Sequence, residues 1–282
     1  MTESIFQYGF IIKSLLGALF ASITAGLAGT YIVTRRMVFL SGGITHASFG
    51  GIGIGYFAGF SPVAGAALFG ILSALGIEYL SVRQKIREDS AIGILWAFGM
   101  AVGIIFIWLT PGYAPNLMGY LFGSLLTVTN AEIAALGILS LILIFYFIIF
   151  YRTIIYISFD EEFARTYSPY VNTIKYITTS LIALTIVLNI RMAGVVLVIS
   201  LLTIPPNIAM LLTRSYRRII LWAVMAGFAG TATGYAVSYF AGIPVGATII
   251  FTLVIIWVIV KVMVRFAGKG PSKDLRIPVR NR

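Results

Sequence analysis

Long apolar stretches separated by short polar segments dominate the pattern of this chain. A helix needs about 20 mostly apolar residues to cross a bilayer. We therefore predict an all-α polytopic membrane protein with about nine transmembrane helices, or eight if one of the two short stretches, Gly43–Phe60 or Tyr176–Asn189, does not cross. The predicted spans are Phe10–Thr34, Gly43–Phe60, Pro62–Leu80, Ala91–Thr110, Ala131–Tyr151, Tyr176–Asn189, Gly194–Thr213, Ile219–Ala241 and Val245–Val264.

The segments between these spans contain no soluble domain. A further apolar run, Gly119–Thr127, is too short to cross, and we interpret it as a re-entrant or interfacial piece. The N-terminus has no basic region and no small-residue cleavage site, so the first stretch is expected to remain as a helix. The sequence thus predicts one transmembrane domain over residues 1–282, with a basic cytoplasmic tail at 265–282.

Composition narrows the class of protein further. The 282 residues are 60% hydrophobic and 10% charged, with a mean hydropathy of +1.01. Soluble domains are about 45–50% apolar and about 25% charged. A cytosolic enzyme and a disordered chain are excluded, and the absence of Cys excludes a disulfide scaffold. Despite the net charge of +11, a nucleic-acid partner is not expected, because the basic residues lie singly or in short clusters between apolar runs.

The distribution of basic residues predicts the orientation. With the N-terminus outside and nine spans, 18 of the 20 Lys and Arg residues lie on the cytoplasmic side. Only Lys13 and Arg191 do not. Cytoplasmic loops carry an excess of Lys and Arg, so we predict an N-out, C-in topology.

Catalytic and nucleotide-binding motifs are missing from the sequence. It has no HExxH, no paired intramembrane aspartates and no Walker motif, so we expect no enzyme activity and no bound cofactor. Glu78 and Glu132 lie near span ends and are expected to reach the polar headgroups. Active transport would therefore need energy from another subunit or from an ion gradient.

His46, the only histidine, lies in a helix rich in Gly, Ser and Thr that follows Arg35 and Arg36. A neutral imidazole is a common ligand for divalent metals, so His46 is the candidate metal ligand, with Ser41 and Thr45 on the same pathway. The alternative is a hydrogen-bonded histidine in a tightly packed helix pair, since small residues let helices approach closely.

A polar segment from Asp160 to Ser168 is the second candidate. Asp160, Glu161 and Glu162 form an acidic helix start, and Pro169 disfavours continuation. We predict a short amphipathic helix of about two turns along the membrane surface. It is either a docking element for a cytoplasmic partner or a solvated loop.

Two consecutive prolines are the third candidate. Pro205 and Pro206 lie inside a span, where they remove backbone hydrogen bonds and are expected to kink the helix. The kink is either a gating element, as in transporters with discontinuous helices, or purely structural.

Together these motifs resemble the permease subunit of ABC transporters for zinc, manganese and iron. The resemblance covers about residues 10–265. Five motifs match in the same order along the chain: Arg35 to His46, Asp89 to Gly93, Phe122 to Leu126, Asp160 to Arg165, and Gly194 to Pro205.

The resemblance implies a bacterial or archaeal cytoplasmic-membrane importer. Two copies would form the pathway, two cytoplasmic ATPases would hydrolyse ATP, and an extracytoplasmic binding protein would deliver the metal. The ATPase would contact a coupling helix that contains Asp160, Glu161, Glu162, Ala164, Arg165 and Ser168.

Two positions depart from the family pattern. Many members carry Asp four residues before the histidine, where this chain has Gly42, and the coupling-helix glycine is Ser168 here. The metal therefore stays open, with zinc slightly favoured by the lone imidazole. A secondary transporter with His46 as proton relay is the main alternative, and an intramembrane enzyme is a more remote one.

Overall fold

The computed structural model describes residues 9–111 and 128–267, and the regular structure within them is helical. This confirms the prediction of an all-α polytopic membrane protein. In chain order the helices are α1 (Gly9–Thr34), α2 (Val38–Ala58), α3 (Pro62–Val82), α4 (Glu88–Leu109), α5 (Asn130–Ile149), α6 (Tyr151–Phe159), α7 (Glu161–Tyr167), α8 (Val171–Ala193), α9 (Val195–Leu212), α10 (Tyr216–Ala241) and α11 (Val245–Phe266).

Eight of the described helices are long and apolar enough to cross a membrane. Helix α2 has 21 residues and is also long enough, but its Gly, Ser and Thr residues make it less apolar. Most of its residues are buried among neighbouring helices, so it needs little lipid-facing apolar surface. The predicted total of nine therefore depends on α2, and the N-out orientation stays a prediction.

The span predicted at Tyr176–Asn189 is shorter than the helix that the structure shows there. Helix α8 begins at Val171 and ends at Ala193. Its first turns contain Lys175, which interrupts the apolar pattern but is buried and paired inside the protein. The run Gly119–Thr127, the motif Phe122 to Leu126 and residues 268–282 of the predicted tail lie outside the described residues.

Local sequence explains several helix ends. Ser61 accepts a hydrogen bond from the Ala64 amide, with Pro62 in the first turn of α3. Thr129 and Glu132 form a reciprocal capping box at the start of α5. Gly242, with a φ of 67°, ends α10 in the left-handed conformation that glycine adopts most easily.

Helix α2 packs between α3 and α4, and the α2–α4 contact is the most extensive in the described structure. Glycines allow their backbones to meet: a Cβ at Gly50 would lie 2.9 Å from the Gly99 carbonyl oxygen, and one at Gly99 would collide with the backbone of Ala47. A Cβ at Gly53 would likewise lie 2.5 Å from the Gly103 carbonyl oxygen. Such close approach is how membrane helices without a hydrophobic driving force associate. Helices α2 and α4 are therefore in direct backbone contact.

Helix α1 packs against α9 and α10 on the other side of the molecule. Pro206 has no N–H, so the Leu202 carbonyl lacks its usual partner within α9. The backbone of Gly29 in α1 lies against this carbonyl so closely that any Cβ at position 29 would collide with it. The freed carbonyl is thus covered by protein instead of lipid.

Candidate functional site

The predicted metal ligand His46 stacks on an aromatic side chain of the neighbouring helix. Its ring is parallel to that of Trp96 in α4, with the centroids 4.5 Å apart and 3° between the planes. His46 is only partly buried, in contrast to most of α2. The indole covers one face of the imidazole, whereas a metal ion would bind through a nitrogen lone pair in the plane of the ring.

Ser41 and Thr45, the other predicted pathway residues, are buried. Ser41 donates to the Val38 carbonyl at 2.7 Å, and Thr45 donates to the Ser41 carbonyl at 2.6 Å. Both hydroxyl protons are therefore used within α2, and these side chains could offer a metal only their oxygen lone pairs.

Gly42, at the position where many family members carry Asp, has room for a side chain. A Cβ at this position would lie 3.8 Å from the Trp96 ring and 3.9 Å from the Ile199 side chain, which is ordinary van der Waals contact. Gly42, His46, Trp96 and Ile199 thus share one region between α2, α4 and α9. Within residues 9–111 and 128–267, no group of three or more His, Asp or Glu side chains is arranged to hold a metal ion.

The predicted coupling helix is present as α7. Asp160 is its N-cap and accepts a hydrogen bond from the Phe163 amide at 2.9 Å. Ala164 is fully buried, and Arg165 pairs with Glu161 at 2.7 Å. Ser168 ends the helix with a φ of −144°, an extended conformation in which serine replaces glycine without strain.

An aromatic surface surrounds α7. Phe163 and Tyr167 of the helix are about half exposed, and the flanking Phe159 and Tyr170 are more exposed still. Phe163 and Tyr167 also pack edge-on against Tyr156 of α6, which holds them in place. Large exposed aromatics beside the charged Glu162 are typical of a protein contact surface.

Beneath α7 lies a cluster of five ionisable side chains that sequence reasoning did not predict, here called the charged cluster: Arg35, Glu78, Glu88, Glu161 and Lys175. Lys175 lies 2.8 Å from Glu161 and 3.3 Å from Glu78. The Arg35 guanidinium lies 3.1 Å from Glu88, 3.4 Å from Glu161 and 4.0 Å from Glu78. The cluster joins α7 to α3, α4, α8 and the end of α1.

The expectation for Glu78 was therefore wrong. Its side chain is 1% exposed and accepts a hydrogen bond from Thr179 at 2.8 Å, instead of reaching lipid headgroups. A buried carboxylate needs a paired cation and hydrogen bonds. Lys175 supplies the cation and Thr179 donates one hydrogen bond to Oε1, whereas Oε2 has the ion pair alone. The signal in the sequence was that Glu78 and Lys175 interrupt apolar stretches, where an ionisable residue is expected to have a partner.

The electrostatics of the cluster act on Glu161. Burial alone would raise the pKa of Glu161, but the hydrogen bond and charge of Lys175, with help from Arg165 and Arg35, hold this pKa below its usual value. Glu161 is therefore ionised at neutral pH and faces the protein interior. Glu162, its neighbour in the first turn, is exposed.

Glu132 also differs from expectation. Besides capping α5, its carboxylate pairs with Arg191 of α8 at 2.8 Å. This ion pair joins two helices at the opposite end of the bundle from α7. Glu132 is thus bound to the protein instead of extending to the headgroups.

Helix α9 continues from Val195 to Leu212 through both prolines. Pro205 and Pro206 are buried against neighbouring helices. Asn207, one residue further, is exposed, and its side-chain amide donates to the Thr203 carbonyl at 2.8 Å. Gating by these prolines stays a prediction.

Known proteins share both the sequence and the fold. An uncharacterized membrane protein of Synechocystis is 38% identical over 253 residues, with 90% of each chain covered. The manganese transport system membrane protein MntC of Listeria innocua is 32% identical over 257 residues, with 91% of each chain covered. In the solved structure of PsaBC from Streptococcus pneumoniae in complex with Fab, one chain matches with a TM-score of 0.80 and 26% identity, covering 92% of this chain and 93% of that one.

The family model described as the ABC 3 transport family matches residues 7–264, nearly the whole chain. The matched region contains His46, α7 and the charged cluster. The chain is a metal transport permease subunit and a multi-pass membrane protein, not an enzyme. It belongs to the ABC 3 transport family.

Proposed function

We propose that this chain forms the membrane pathway of an ATP-driven importer, in which two copies carry a divalent metal ion into the cytoplasm. The observation that carries the proposal is the aromatic surface of α7 above the charged cluster. A short helix that is fixed from beneath and exposed above suits a separate ATPase, and the chain has no nucleotide-binding motif of its own.

The ATPase contact consists of the four exposed aromatics, Phe159, Phe163, Tyr167 and Tyr170, together with Glu162. Aromatic residues are enriched at the centres of protein interfaces, where they bury much area at little entropic cost. ATP binds only in the partner, and the permease needs no resident cofactor. An extracytoplasmic binding protein delivers the metal to the opposite end, near Glu132 and Arg191.

For the metal, we propose a borderline ion, zinc before iron, with manganese as the poorer substrate. Imidazole nitrogen suits zinc and iron, whereas manganese prefers carboxylate oxygen. The family position that supplies that carboxylate is Gly42 here. The Listeria relative is named for manganese transport, which supports metal transport in general. Our proposal therefore implies that the two relatives prefer different metals.

A pathway with few fixed ligands also fits transport better than storage. Conduction requires that the ion bind strongly enough to be accepted and weakly enough to leave. Two His46 rings, one from each copy, would offer a weak site of this kind.

The test is uptake of radioactive zinc into lipid vesicles that contain the permease with its ATPase and binding protein. We expect uptake that requires ATP and stops when the catalytic glutamate of the ATPase is replaced. Iron and manganese, offered at the same concentration, should enter severalfold more slowly. Uptake that proceeds without the ATPase and collapses with the proton gradient would instead establish the secondary transporter.

A further inference from the structure

Arg35 makes contacts that no other side chain of the charged cluster makes. It directly follows α1, donates to the Tyr31 hydroxyl at 3.0 Å, and reaches carboxylates from three different elements. Its side chain is 8% exposed, so these charges interact with little screening by water. One guanidinium thus contacts the coupling helix and the transmembrane helices at the same time.

Arg35 also forms an ion pair with Glu88, with 3.1 Å between the guanidinium nitrogen and the carboxylate oxygen. This pair connects Arg35 to the helix that reaches the candidate pathway. Glu88 is the first residue of α4. Trp96 lies eight residues further along the same helix, about 12 Å away at 1.5 Å per residue. Because an α-helix transmits displacement along its axis, a shift at Glu88 reaches Trp96.

Trp96 in turn stacks on His46, and α4 is held to α2 by backbone contact at Gly50 and Gly99. A displacement of α4 as a whole helix therefore also acts on His46. Either the α2–α4 pair moves as a unit, or the ring stack changes.

We propose that Arg35 transmits the position of the coupling helix to the His46 site through Glu88 and α4. The inference rests on the proposed function, because it supposes that an ATPase moves α7. Arg35 and Glu88 are positioning residues in this scheme and touch no metal. The physical basis is that Arg35 can exchange its ion-pair partners. When Glu161 moves with α7, the guanidinium can shift among three carboxylates, so no buried charge is left unpaired.

The experiment places one fluorine reporter at Trp96. The chain has 4 Trp residues, so replacing Trp108, Trp222 and Trp257 with Phe leaves a single tryptophan. The permease is labelled with 5-fluorotryptophan, combined with unlabelled ATPase in lipid nanodiscs, and observed by fluorine NMR before and after ATP is added. We expect the Trp96 signal to shift with ATP.

Glu88→Gln removes the charge that Arg35 contacts, and we expect it to abolish the ATP-dependent shift. The matched control is Asp89→Asn, which removes a carboxylate from the next residue, where the described structure shows no ion pair. In this variant the Trp96 signal should shift with ATP as it does in the parent. An unaltered shift in Glu88→Gln, or a transport-competent parent whose Trp96 signal ignores ATP, overturns the inference. A parent that takes up no metal with ATP contradicts the proposed function instead.

A second measurement separates transmission from simple stability. Metal taken up per ATP hydrolysed should fall severalfold in Glu88→Gln and be partly restored in Glu88→Asp, at equal amounts of assembled complex. Arg35→Lys keeps the charge but cannot reach three carboxylates together, so the same ratio should fall. An unchanged ratio in both variants contradicts transmission, even if less complex assembles.

Discussion

Glu161 and Lys175 are joined by a hydrogen bond of 2.8 Å that connects α7 to the buried side of α8. The Lys175 side chain is only 3% exposed, whereas Glu162, next to Glu161, faces solvent. Two adjacent glutamates in one short helix thus have different surroundings, and we predict different functions for them. Glu161 fixes the helix to the protein, and Glu162 is available to a partner.

Charge reversal should separate these two functions. We expect Glu161→Lys to lower the thermal stability of the purified permease, because it places a cation beside the buried Lys175 and Arg35. The loss of the acceptor alone should cost about 1–3 kcal/mol. Glu162→Lys should leave the melting temperature unchanged and weaken co-purification of the ATPase. Equal effects of the two variants on stability would contradict the assignment.

The pKa of Glu161 gives a pH dependence with a defined sign. Because the pKa of Glu161 in the folded protein lies below its usual value of 4.5, the ionised form stabilises the fold. The contribution is complete above that value and is lost as the pH falls through the lower folded pKa. We therefore expect the melting temperature difference between the native chain and Glu161→Gln to be constant from neutral pH to about 5.5 and to shrink below 4.5. A difference that grows on acidification would contradict this.

His46 should be required for transport but not for folding. We expect His46→Ala to lower zinc uptake severalfold while expression and ATPase binding persist, since the lost ring stack is worth about 0.5–1.5 kcal/mol. The informative comparison is His46→Phe, which keeps a ring against Trp96 but has no nitrogen ligand. Normal uptake in the Phe variant would show that the histidine only packs.

Gly42→Asp should change metal preference. A side chain fits at position 42, and it would place a carboxylate one helical turn before His46. We expect manganese uptake to rise relative to zinc uptake, measured as competition between the two ions in vesicles. Gly42→Asn, of the same size but uncharged, is the control. An identical ratio in the Asp and Asn variants would rule out a role for the carboxylate.

Cysteine labelling tests the orientation, because the native chain has no Cys. Gln84 lies in the exposed α3–α4 connection, and Ile243 lies between α10 and α11 at the other end of the bundle. With N-out, nine-span topology, an impermeant maleimide added to intact cells should label Ile243→Cys and spare Gln84→Cys. The reverse pattern would invert the predicted topology.

The sequence predicted the helices well, because a membrane span is a local property of about 20 apolar residues. It also predicted α7, whose start depends on Asp160 and the acidic first turn. These signals lie within a few residues of the structure they specify, so no knowledge of distant contacts was needed.

The charged cluster was beyond such reasoning, because its members are far apart in the chain. Arg35 and Glu161 are separated by 126 residues, and Glu78 and Thr179 by 101. The interrupted apolar stretches indicate that Glu78 and Lys175 need partners, but not which residues those partners are. Trp96 was missed for the same reason: one of many aromatics in apolar stretches, it becomes distinctive only when stacked on His46.

The close backbone contact between Gly29 and Leu202 constrains the order of helix assembly. Membrane helices enter the bilayer in chain order, and their lateral association follows. The backbone at Gly29 therefore has no contact with Leu202 until residue 202 has left the ribosome. A bulkier residue at position 29 would leave insertion of α1 unchanged and disturb only the docking of α9 on α1, which makes it a lesion of assembly instead of insertion.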